Sequence, residues 1–183
     1  MPKLDATHAT CHVLTFKEGL LSAVAHDLRL RVGRLSIDLD PSARSVRATF
    51  DPTSIAVECA MKGGREAPGT LRDKDRRDVV KNIEKDVLHP RKHREIRFEG
   101  SWSGDAPTEV EGTLALHGKS RRVRVGLRRD GDAVVGEVTL HQPDFGIRPF
   151  SALFGTLKIK PDVRVVLRLP ASAALPPSPN RPS

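Results

Sequence analysis

The apolar residues of this chain recur with a period of two, and that pattern restricts its fold more than any other feature. Val163, Val165, Leu167 and Leu169 share one parity, with Arg164 and Arg168 between them. Val123, Val125 and Leu127 oppose Arg122, Arg124 and Arg128, and Val134, Val138 and Leu140 oppose Glu137, Thr139 and His141. Side chains alternate between the faces of a strand, so these are half-buried antiparallel strands with one wet face. Turn chemistry separates them. Asp130-Gly131-Asp132 is a hairpin signal. Pro41-Ser42-Ala43 divides Leu35-Ile37-Leu39 from Val46-Ala48-Phe50, and Asp51-Pro52 divides Phe50 from Ile55-Val57-Cys59. Pro161-Asp162 marks a turn or an edge bulge. Leu28, Leu30 and Val32 are even, whereas Leu35, Ile37 and Leu39 are odd. That parity switch predicts a bulge at Gly33 that bends one long strand and lets the sheet curl.

One segment breaks the period. Over 73–88 the apolar positions are Val79, Val80, Ile83, Val87 and Leu88, one face of a helix with Asp73 as its N-cap and His89-Pro90 as its stop. The expected fold class is all-β with this one helical insertion: an up-and-down antiparallel β-barrel of about eight strands. It would form one domain over 1–170. Residues 171–183 hold four prolines and read as a disordered tail. A barrel of that size is either filled by side chains or holds one small apolar ligand.

Several function classes are excluded. No apolar run approaches the roughly 20 residues that span a bilayer. The first eight residues have no apolar core, so they do not read as a secretory signal, and a cytoplasmic location is expected. Two cysteines, Cys11 and Cys59, make no disulfide framework and read as reduced, packed thiols. No Gly-x-Ser-x-Gly and no phosphate-cradling glycine loop is present, and the carboxylates of the helix (Asp73, Asp75, Asp78, Glu84 and Asp86) are interleaved with Lys and Arg as on a solvated face. No catalytic residue and no cofactor is expected. His8 and His12 are four apart, about 13 Å along a strand, and His89 and His93 flank Pro90, so neither pair suits one metal ion.

Further motifs stand in order. Asp5-Ala6-Thr7-His8-Ala9 comes first, then Thr53-Ser54-Ile55. After the helix stands Arg94-Glu95-Ile96-Arg97-Phe98-Glu99-Gly100-Ser101, then Gly112-Thr113-Leu114 leading to Gly118-Lys119-Ser120, and last Asp144-Phe145-Gly146. This series resembles the YceI-like family, whose pattern runs D-x-x-H-S, a-S-I, a helix, P-x-I-x-F-x-S, G-x-L-x-x-x-G-x-[ST] and D-F-G. The resemblance covers about residues 5–169. It implies an elongated antiparallel barrel with an apolar channel, lined on one side by the helix, and binding of polyisoprenoid or other long apolar chains. Arg94 stands where the family has Pro, and the next histidine beyond His12 is His26.

The expected wall residues are Val24, Leu28, Phe50, Val57, Ile83, Phe98, Leu140, Phe145, Phe150 and Phe154, with His26 and Arg148 as polar groups at a mouth. His26-Asp27 reads first as a satisfied structural pair anchoring the first hairpin, and second as a contact for a ligand head group. Three of the seven aromatics, Phe145, Phe150 and Phe154, crowd one charge-poor segment that reads either as the lip of a channel or as a core plug.

The net charge of +8 suggests a second class of function. Lys119, Arg121, Arg122, Arg124, Arg128 and Arg129 fall within eleven residues. The alternative to an apolar carrier is therefore an interaction module whose basic outer face meets nucleic acid or an anionic membrane surface. No recognition helix or paired stacking aromatics accompany the stripe, so a solvated strand face is preferred and no specific nucleic-acid partner is expected. Exposed strands would allow a homodimer, although no residue pattern specifies one.

Overall fold

The computed structural model describes residues 3–19 and 26–174. The chain opens with β1 (Lys3–Asp5), β2 (Thr10–Thr15), β3 (Lys17–Glu18) and β4 (Asp27–Val32). It continues through β5 (Leu35–Asp40), β6 (Ser45–Phe50), β7 (Ile55–Lys62) and β8 (Arg65–Ala67) to helix α1 (Asp73–Asn82). After the helix come β9 (Ile96–Ser101), β10 (Glu109–Leu116), β11 (Lys119–Asp130) and β12 (Ala133–His141). The last elements are β13 (Ser151–Ala152), β14 (Leu157–Ile159), β15 (Asp162–Pro170) and a short helix α2 (Ala171–Ala174).

Twelve strands form one curled antiparallel sheet in the order β1-β5-β6-β9-β10-β11-β12-β15-β2-β4-β7-β8, and β13-β14-β3 form a small second sheet. The expected count of about eight is corrected to twelve. The physical reason is that the chain turns corners without leaving the sheet. Each of β1/β2, β4/β5 and β6/β7 is one run of chain cut in two by a bend, and β8 folds back on β7. Both halves of each run keep their neighbours: β1 pairs β5 while β2 pairs β4, and β5 pairs β6 while β4 pairs β7.

The corners are built from the motifs seen in the sequence. At the first, the Asp5 carboxylate accepts from the Thr7 amide at 2.8 Å, the Thr7 hydroxyl at 2.5 Å and His8 Nδ1 at 2.9 Å. These contacts, led by the Thr7 hydroxyl, hold the Asp5 carboxyl down at about 2. At the second, the Gly33 amide donates to the Ser54 carbonyl at 3.0 Å and the Arg34 amide to Ser54 Oγ at 2.9 Å. The Ser54 hydroxyl in turn donates to the Asp51 carbonyl at 2.7 Å. The parity switch at Gly33 is this corner. A Cβ there would lie 3.1 Å from the Ser54 carbonyl oxygen. One further irregularity interrupts β7, where Glu58 is skipped between the Arg29–Cys59 and Leu30–Val57 pairs.

The expected helix spans 73–88 as read from the sequence, but in two forms. The α-helix ends at Asn82, and Ile83–Leu88 continue as a π-helical turn. His89 stops it in a left-handed conformation (φ 47°), its amide reaching the Glu84 carbonyl at 3.2 Å. The N-cap is Arg72 rather than Asp73, because Asp75 reaches back to accept from the Arg72 amide at 3.0 Å. The helix packs through Val79, Val80 and Ile83 on Leu28, Leu30, Val57 and Ala60. The π-helical turn carries Val87 and Leu88 to a second cluster around Leu114, Leu116, Leu140 and Phe145. The region expected to be a disordered tail begins instead with α2, whose Ala171 is buried. Residues 175–183 lie outside the described residues.

Phe98 shows why glycine stands in the strands beside it. Its ring lies across the adjacent strand, and a Cβ at Gly112 would come within 2.6 Å of the ring and 2.4 Å of the Glu99 carbonyl oxygen. The flexible end of a side chain could yield, but backbone could not. Gly112→Ala is therefore expected to lower unfolding free energy by about 1–3 kcal/mol, read as a lower urea midpoint at unchanged slope. An unchanged midpoint would show that the strands separate without cost.

A candidate apolar channel inside the curled sheet

The inward-facing side chains of the curled sheet surround a cavity of about 1050 Å³. Strand register sets its two ends. Val134 pairs with Leu169 at one end of β12, and Leu140 pairs with Val163 at the other. The apolar lining alternates along β11, β12 and β15: Val123, Val125 and Leu127 on β11, Val134, Gly136 and Val138 on β12, Val163, Val165 and Leu167 on β15. The interior stays open because these walls are aliphatic and short. The aromatic side chains that border it are Phe50, Phe98, Trp102 and Phe150. Helix α1 and its π-helical turn supply Val79, Ile83, Val87 and Leu88. The small sheet supplies Leu157 and Ile159, next to Phe150, at the Leu140–Val163 end. Gln142 is the buried polar side chain near that end, and it donates to the Lys160 carbonyl at 3.1 Å.

The structure separates the expected site residues into groups. His26, Leu28, Phe50, Ile83, Phe98, Leu140 and Phe150 border the channel. Val57 and Phe145 are corrected: both are buried but do not line it. Val57 lies under helix α1, and Phe145 packs behind Leu114, Leu116 and Leu140. Arg148 and Phe154 are corrected as well: both are exposed and neither lines the cavity. Val24 lies outside the described residues. Asp27 divides the His26-Asp27 pair, because its carboxylate accepts from the Lys17 amide at 2.8 Å and so anchors β3, leaving His26 at the channel. Most wall residues absent from the sequence expectation, among them Val13, Leu114, Leu116 and Val165, obey the same parity rule. Parity alone would have found them.

A YceI-like domain matches residues 3–171 of the chain. This protein belongs to the YceI-like family. Solved structures share the fold. The crystal structure of Burkholderia cenocepacia BcnA superposes with a TM-score of 0.58 at 16% identity, over 88% of this chain and 94% of that one. A polyisoprenoid binding domain from Saccharophagus degradans, implicated in plant cell wall breakdown, gives 0.56 at 14% identity, over 92% and 97%. The Campylobacter jejuni YCEI protein gives 0.53 at 14% identity, over 84% and 88%. No curated protein matches the sequence of this chain.

Outside the channel, the basic stripe is laced with carboxylates. Arg122 and Arg124 reach Glu111, Arg128 and Arg164 reach Glu137, and Arg168 reaches Asp130. Such exposed pairs contribute little stability each, but they compensate much of the stripe's charge. The buried Cys11 thiol is pushed up to about 12 by burial, and burial also raises Cys59. A thiol held protonated is a packing group rather than a nucleophile. Among the described residues no three His, Cys, Asp or Glu side chains are arranged to hold a metal ion.

Three histidines nevertheless meet beside the channel wall. A tight turn, with the His93 amide on the His89 carbonyl at 3.0 Å, brings His89 and His93 to His117 in the β10–β11 turn. The ring centres of His93 and His117 are 4.3 Å apart, and His117 Nδ1 lies 3.3 Å from the Phe145 carbonyl oxygen. Burial, followed by the charge of His93, pushes His117 below its usual 6.5. His12, facing Glu58 and Arg29, is lowered for the same leading reason. As pH falls through 6.5 the unfolded chain takes up these protons first, so stability is full above 6.5 and declines below it. The melting temperature is expected to drop between about pH 7.5 and 5.5, less so in His117→Gln. An equal drop in His117→Gln would remove His117 as its source.

Proposed function

We propose that this protein binds one long apolar chain, a lipid or an isoprenoid, inside the curled sheet and carries it without chemical change. The carrying observation is the aliphatic cavity of about 1050 Å³ running between the two ends of β12. In this reading the twelve strands act as a closed, lipocalin-like barrel, since β15 pairs β2 and the continuation of β2 through β1 pairs β5. Residues 1–170 act as one domain. His26, Leu28, Phe50, Ile83, Phe98, Leu140 and Phe150 contact the ligand. The Saccharophagus degradans domain of the same fold is described as polyisoprenoid binding, which favours an apolar chain over a compact ligand.

The energetics suit that role. Each buried methylene contributes about 0.8 kcal/mol, so ten contribute roughly 8 kcal/mol before ordering costs. Binding in the micromolar range then needs no special polar contact. Protonated thiols at Cys11 and Cys59 fit a carrier better than a thiol enzyme.

Protein purified without detergent is expected to show an added mass in native mass spectrometry that organic solvent releases as an apolar molecule. Val125→Trp, which places a large ring in the channel, is expected to weaken uptake of a fluorescent polyene fatty acid at least about tenfold while leaving the melting temperature close to that of the parent. Protein that is always empty and also ignores the added probe would overturn the carrier reading.

A further inference from the structure

We propose that the small sheet at the channel end is a docking surface for an anionic lipid bilayer, with Leu153 and Phe154 entering the interfacial layer. Among the described residues these are the exposed large hydrophobics: Leu153 is 59% exposed and Phe154 stands fully clear of the protein. They are adjacent, and both hold left-handed backbone (φ 51° and 55°) that β-carbon-bearing residues rarely adopt. The turn is fastened in this shape. The Thr156 amide and hydroxyl both donate to the Leu153 carbonyl, at 3.1 and 2.7 Å. Strain that holds two apolar side chains outward, rather than folding them onto the sheet, points to a surface role.

The charge around the tip fits phosphate head groups. Residues 146–160 contain Arg148, Lys158 and Lys160 and no carboxylate. All three cations are exposed. On the barrel face, Arg122, Arg124, Arg128, Arg164 and Arg168 have carboxylate partners. None of the described ion pairs involves Arg148, Lys158 or Lys160. The single acid on the small sheet is Glu18, opposite Lys158, and it is matched by Lys17 opposite Ile159. A short apolar wedge flanked along the chain by exposed cations is the chemistry of interfacial binding to anionic lipid, in which apolar insertion and head-group attraction add.

Position supplies the purpose. Leu157 and Ile159 of the small sheet that carries the wedge, and Phe150 just before it, border the channel. Docking through Leu153 and Phe154 would bring the Leu140–Val163 end of the channel against the bilayer, so that an apolar chain could pass between acyl region and channel without crossing water. This purpose rests on the carrier reading, whereas bilayer binding itself is measured separately from it.

The test is cosedimentation of the full chain with vesicles of phosphatidylcholine, with and without phosphatidylglycerol. Binding is expected only when phosphatidylglycerol is present, weakening as salt rises. Leu153→Glu with Phe154→Glu should weaken it at least about tenfold, and Arg148→Glu with Lys158→Glu should abolish the lipid preference. Both variants should keep the parent melting temperature and probe uptake in solution. Failure of the wild type to bind anionic vesicles, or unchanged binding by the wedge variant, overturns the proposal. So does a wedge-dependent dimer in size-exclusion chromatography without vesicle binding, which would make the tip a self-association surface. Vesicle binding by a chain whose channel takes up no probe would sink the carrier reading alone; probe uptake without vesicle binding would sink the docking surface alone.

Discussion

Backbone pairing kept through a change of direction is the constraint on which the rest of this structure depends. A curled sheet must satisfy its amides and carbonyls while its strands turn, and unpaired groups at a bend would be costly. Here the bends are made where side chains or neighbouring carbonyls take over the ladder. Asp5 serves the amide of Thr7, and Ser54 serves the amides of Gly33 and Arg34. Because β1/β2, β4/β5 and β6/β7 bend without losing their neighbours, the sheet can wrap around an interior instead of splaying open.

What fills that interior is decided by side-chain size. Valine, leucine and glycine at inward positions reach too short a distance to meet across the sheet, and the chain has only seven aromatics to fill the gap. The two that lie deepest in sequence motifs are spent differently. Phe98 borders the channel with its ring laid over Gly100 and Gly112, while Phe145 is wedged behind the wall, where its carbonyl meets His117. The latter links the wall to the histidine cluster.

Charge is sorted by face. Arg122, Arg124 and Arg128 of β11 and Arg164 and Arg168 of β15 reach Glu111, Asp130 and Glu137, so part of the stripe is compensated where it lies. The small sheet at the channel end is different, with exposed cations beside an exposed apolar tip. One chain thus presents a partly compensated barrel wall and an amphipathic rim whose cations take part in none of the described ion pairs, and the rim adjoins the cavity.

Period-two alternation determined the antiparallel strands, their inward faces and the corner at Gly33, because each of these is a relation between near neighbours in the chain. Val134, Val138 and Leu140 were legible as one face for that reason, and so was the helical face of Val79 and Ile83. The number of strands was not legible, since whether a bend ends a strand depends on hydrogen bonds to distant partners such as Ser54. Nor was the fate of single aromatics. Phe150 borders the channel, Phe145 packs behind its wall and Phe154 faces water, though all three sit in one apolar segment. Only the tertiary structure decided that, through a left-handed turn and the register of β14. It likewise brought His89, His93 and His117 together across 28 residues of sequence. Local pattern fixes which way a side chain points from its own strand; what it meets there is set by strands far away in the chain.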